Sequence, residues 1–209
     1  MPESMFIRLF AGISSDCFGA IPLVPFGQWL FPVGIFLLAM GFRAERNKKA
    51  EILFLYRYGT ILNWWKRHFT KWVAWGIYTA ILLLLGALLC DIAAGRVSVL
   101  SVELVLKSSV LWLVHIISMA ALFGLLELFP VRRYVPGALL LLEWVTFIIG
   151  FRICKASHAM YGMWGMYLRS SWWETGGFPV GAVIAAEIGV SAVSFCIGRD
   201  YLKKSTNII

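Results

Sequence analysis

The stretch Lys48–Trp72, KKAEILFLYRYGTILNWWKRHFTKW, lies between two runs apolar enough to cross a bilayer, and its reading decides how the chain is laid out. Steps of three and four residues put Leu55, Tyr58, Leu62 and Trp65 on one flank and Arg57, Thr60, Asn63, Arg67 and Lys71 on the other. That division is expected of a helix lying in a membrane interface, with Trp64 and Trp65 anchored at headgroup depth. The simpler expectation is an in-plane anchor that ties two spans together. The sharper one is a docking surface for a cytoplasmic partner.

Working outward, composition places the whole chain in a membrane. Of its 209 residues 60% are hydrophobic and 14% charged, so an ordinary soluble core is excluded. Several runs approach the roughly 20 apolar residues that a helix needs to span hydrocarbon. No long polar linker, repeat or low-complexity stretch separates them, which leaves no room for a soluble catalytic domain. The net charge of +8 is gathered at the ends of the apolar runs, a distribution suited to orientation and lipid and not to nucleic acid.

These patterns predict an all-α polytopic bundle of five spans, with an outer segment over residues 1–23 and one transmembrane domain over 24–209. Residues 1–23 have no compact basic start or small-residue cleavage site, so this segment is expected to stay in the mature protein. The first span covers 24–42, with Pro32 expected to kink it. Arg43, Arg46, Lys48 and Lys49 follow at once and mark its cytoplasmic end. The remaining spans then fall at about 72–90, 104–126, 137–151 and 178–198, with Arg132 and Arg133 on an inner loop. The amino end is outside and the carboxyl end inside a cell membrane. Every inner loop is the more basic one, except that Arg152, Lys155 and Arg169 sit outside.

Two further groups of residues carry candidate chemistry. His115, Glu143 and Glu187 each stand within an apolar run and must face protein or water. On the fifth span Ser191 and Ser194 share a stripe with Glu187, beside a small-residue row of Gly181, Ala185 and Gly189, so these polar groups are candidates for an internal translocation path. The plainer expectation is that they are paired within the bundle and fix its packing. Outside, Met160, Met163 and Met166 recur every three residues near Trp164, Tyr167 and Arg169, which predicts a short amphipathic or re-entrant helix in the outer interfacial belt. Methionine also ligates copper(I), and Cys154 and His158 are nearby, but methionine more commonly fills apolar gaps. Cys17, Cys90 and Cys154 approach the outer face and Cys196 the inner, and free apolar thiols are the expectation over a disulfide. No phosphate loop, HExxH or GxSxG motif is present. Any nucleotide must therefore be bound by another chain.

The kinked span, the basic turn and the segment carrying Arg57, Tyr58, Gly59, Trp65 and Lys66 resemble the coupling-helix region of ABC-2-type transporter permeases, particularly the short ones of bacteriocin and lantibiotic gene clusters. HAMYGMWGMYLRSS resembles the outer segment before the last span of that family, and IGRDYLKKSTNII its usual ending. The resemblance runs from Val24 onward. It implies a coupling helix over 51–69 in which Arg57, Tyr58, Gly59, Trp64, Trp65, Lys66 and Arg67 meet a cytoplasmic ATPase subunit, with ATP and magnesium on that partner and no cofactor on this chain. It also implies a peptide-like substrate and no bond-making catalysis. Family members usually have six spans, so a second permease subunit is expected to complete this bundle. A non-transporting immunity or scaffold protein is the alternative, and a membrane enzyme would require His115, Glu143 and Glu187 to converge.

Overall fold

The structure, a computed structural model, describes residues 4–13, 22–55, 60–96, 100–129, 132–153 and 158–206. Five long helices form it: α1 (Leu23–Leu55), α2 (Ile61–Ala93), α3 (Val102–Leu126), α4 (Val135–Arg152) and α5 (Val180–Thr206). Each contains a stretch long and apolar enough to cross a bilayer, which makes this a multi-pass helical membrane protein. No β-strand occurs among the described residues, only an isolated bridge between Ser170 and Phe178.

The helix starts follow local rules. Ser101 caps α3 by accepting the Leu104 N–H at 3.1 Å, and Thr60 caps α2 by accepting the Asn63 N–H at 3.2 Å. Pro136 occupies the first turn of α4, where a missing N–H costs nothing. Pro32 sits inside α1, which continues through it.

The helix α3 stands at the centre, with 61% of its apolar window buried against 22–39% for the other four. It packs on α2 where Gly76 faces Ala120: a Cβ at residue 76 would stand 2.7 Å from the Ala120 Cβ. A turn away, Gly124 lies under the Trp72 ring. Small residues at this crossing let two backbones approach, which is how helices gain packing energy where lipid offers no hydrophobic contrast.

The stretch expected to form one in-plane helix over 51–69 is divided. Residues 51–55 close α1, residues 61–69 open α2, and the junction with Arg57, Tyr58 and Gly59 lies outside the described residues. The reason is visible in the buried stripe of α2, where Trp65, His68, Trp72, Gly76, Ala80 and Leu84 follow at steps of three or four without a break. The inward face therefore runs from the tryptophan pair straight into the span. At 33 residues α2 is about 50 Å long, more than hydrocarbon alone requires.

The outer expectation changes similarly. Residues 158–179 form no regular amphipathic helix but irregular chain with short 3₁₀ turns at Tyr161–Met163 and Tyr167–Arg169, pressed into the bundle. Met163 and Met166 are fully buried, against Gly150 and Gly12 respectively. The amino-terminal residues join the same end. Asp91, at the end of α2, accepts from Ser4 Oγ (2.6 Å) and from the N–H groups of Met5 and Phe6 (each 2.8 Å), and Phe10 sets its ring edge-on to Trp112.

Candidate functional site: a buried Glu–His–Glu cluster

At the middle of α3, His115 meets one carboxylate on each side. Its Nδ1 lies 2.7 Å from Glu187 Oε1 on α5, and its Nε2 lies 3.0 Å from Glu143 Oε1 on α4. All three side chains are 0% exposed. Three helices that share no sequence neighbourhood are thus tied at one point by three ionisable groups.

Neighbouring residues hold the imidazole in place. The Tyr161 ring lies 4.8 Å from it, centroid to centroid, and the Trp29 ring 6.1 Å. Tyr161 also shares a 2.8 Å hydrogen bond with Ser118, whose Oγ is 2.9 Å from the carbonyl of His115. Gly165 lies against the ring, where an added Cβ would stand 3.1 Å from it. Gly162 lies on the Glu143 backbone and donates its N–H to Thr146 Oγ1 at 2.9 Å. The segment before α5 is therefore one wall of the cluster.

Proton bookkeeping limits what this arrangement can do. Neutral imidazole has one N–H and one bare nitrogen, so it donates to one carboxylate and accepts only from a protonated other; imidazolium donates to both. In either state both ring nitrogens are engaged. A general base needs a free nitrogen within reach of its substrate, so His115 can act as one only after a carboxylate moves away. The second oxygens, Glu143 Oε2 and Glu187 Oε2, have no hydrogen-bond partner among the described residues. A carboxylate oxygen left unpartnered in the interior is costly. The two carboxylates flank the ring on opposite sides, and no group of three His, Cys, Asp or Glu side chains placed to hold a metal ion forms among the described residues.

The other predicted residues separate. Ser194 is buried on α5, whereas Ser191 turns back to its own helix and donates to the Glu187 carbonyl at 3.0 Å. Of the partner-facing set, Trp65 points inward: its indole N–H donates to the Phe195 carbonyl of α5 at 3.0 Å and its ring covers Gly198. Trp64 stacks on His68 at 4.6 Å, while Lys66 and Arg67 are exposed. In the outer set Met160 and Trp164 are half-buried and Tyr167 is buried. Buried Arg169 donates its Nε–H to the Ile13 carbonyl at 2.9 Å. Cys90 and Cys196 are free, and Cys17 and Cys154 lie outside the described residues.

Two polar groups were not singled out in the sequence. Buried His68 accepts from the Trp72 indole at 2.9 Å, with Glu127 Oε2 at the end of α3 lying 3.4 Å from the same nitrogen. Asp91, the cap of the amino-terminal turn, is the other. His68 and Trp72 are four apart on one helix face, a legible spacing, but nothing local announces Glu127 or Ser4 as partners.

The fold and cluster define a polytopic helical membrane protein with an ionisable interior. No family model, curated protein or solved structure matches the chain.

Proposed function

We propose that this chain is the membrane-spanning permease subunit of an ABC-type exporter, driven by ATP hydrolysis on a separate cytoplasmic subunit and moving an amphipathic or peptide-like substrate. The observation that carries the reading is the Glu143–His115–Glu187 cluster, since ionisable groups kept at membrane depth mark ion and substrate pathways. The ends of α1 and α2 supply the input. Asn63, Lys66 and Arg67 are exposed there for a partner, while Trp65 on the same turn grips α5. Displacement of that turn is passed by Trp65 to α5 and along α5 to Glu187, so the cluster opens or closes with the partner's cycle. A second permease subunit completes the path, with this chain's amino end outside and its carboxyl end inside.

The convergence of His115, Glu143 and Glu187 also favours a second reading, an integral membrane enzyme, which requires one carboxylate to leave the ring before catalysis. A non-transporting immunity or scaffold protein would keep the spans and need no ATPase.

Gentle detergent extraction of the tagged chain from its host, followed by mass spectrometry of what copurifies, tests the proposal. A subunit carrying a phosphate loop is the expected companion. Its recovery should be lost when Lys66 and Arg67 are both changed to glutamate, with the spans still inserted. Recovery of the chain alone, or with a small peptide only, would overturn the transporter reading.

A further inference from the structure

A second site lies away from the cluster, at the basic end of the bundle. There the last turns of the α1 span and the start of α4 leave a cleft of about 340 Å³, lined by Leu38, Gly41, Phe42, Glu45, Arg133 and Pro136 among others. The two helices touch at Gly41, where an added Cβ would stand 3.0 Å from the Pro136 ring. Leu38, Phe42 and Glu45 are spaced by four and three residues, so they share one face of α1. Over about 10 Å of helix that face passes from apolar to charged. Leu38 and Phe42 are 59% and 76% exposed, leaving an open apolar wall below a charged mouth.

Among the described residues the mouth bears one carboxylate, Glu45, and one guanidinium, Arg133. The nearby Arg43 is turned away, its guanidinium 3.9 Å from the centre of the Trp75 ring on α2. A ligand matching this pattern has an acyl chain for the apolar wall and, at the mouth, a phosphate and a cationic N–H donor. We propose that the cleft binds a phospholipid with a primary-amine headgroup, with phosphate on Arg133, ammonium on Glu45 and an acyl chain along Leu38 and Phe42. A carboxylate accepts several donors at once, so Glu45 can receive the amine alongside its protein contacts. Phosphatidylglycerol offers phosphate without the cation, and phosphatidylcholine offers a cation without an N–H. Both lose the Glu45 half of the match. The inference is independent of the transporter reading.

The test is native mass spectrometry of the purified full chain with equal amounts of phosphatidylethanolamine, phosphatidylglycerol and phosphatidylcholine of matched acyl chains. Phosphatidylethanolamine should be retained about three- to fivefold over the other two, the scale of one exposed charge pair. Glu45→Gln should erase its advantage over phosphatidylglycerol, and Arg133→Gln should lower retention of both. The paired swap Glu45→Arg with Arg133→Glu should restore the preference, which a variant that merely unfolds cannot do. Equal retention of the three lipids, a preference for phosphatidylglycerol, or an amine preference that survives both single substitutions would overturn the proposal.

Discussion

At the residue scale the decisive side chain is His115, because its two nitrogens satisfy two carboxylates that have no other described partner for those oxygens. Removing one member of such a cluster leaves buried charge uncompensated, whereas replacing all of it by apolar residues is often neutral. His115→Ala is therefore expected to cost about 3–5 kcal/mol, read as a lowered unfolding midpoint in detergent. The triple replacement of His115, Glu143 and Glu187 by leucine should unfold close to the parent midpoint yet, on the proposed function, lose transport. A triple variant that still transports would reduce the cluster to packing. The need for partners was legible in each residue alone, since an ionisable group inside an apolar run cannot face lipid. Which partners it takes was not, because residues 28 and 72 positions away along the chain meet only through the packing of α4 and α5 on α3.

At the element scale, α2 does two jobs that the sequence pattern had assigned to separate helices. Its buried stripe runs unbroken from Trp65 to Leu84, so the opening turns clamp α5 rather than lie free in the interface. Gly198→Val should drive a side chain into the Trp65 ring and cost about 1–3 kcal/mol through overpacking, measured by the same unfolding midpoint. If Trp65 passes motion to α5, Trp65→Ala should reduce coupled ATPase activity of the assembled transporter while leaving ATPase binding intact. At the other end of α2, Asp91 holds the amino-terminal turn by its hydroxyl and two backbone donors. Asp91→Ala is expected to speed hydrogen exchange of residues 5–11 with little change in α3. Unaltered exchange there would mean that the burial of Phe6 and Phe10 alone retains the turn.

At the scale of the whole molecule, the basic ends of the helices predict the orientation. A cysteine placed after Lys204 should resist a membrane-impermeant thiol reagent in intact cells, and one at position 3 should react, in a background where the native cysteines are serine. The opposite labelling would invert the topology and put Lys66 and Arg67 out of reach of a cytoplasmic partner.

Helical class, five membrane-crossing stretches and the residues that cannot face lipid were all determined by the sequence itself, because span length and the cost of burying charge are local properties of the chain. Capping by Thr60 and Ser101 was local for the same reason. Only the tertiary structure decided that Met163 and Met166 fill the bundle instead of lying on the membrane, that Trp65 faces α5, and that Glu143 and Glu187 share one histidine. Those outcomes depend on where glycines allow close approach. Gly12, Gly150, Gly162, Gly165 and Gly198 each admit a neighbour that a larger residue would crowd, and that complementarity exists only between elements brought together by packing.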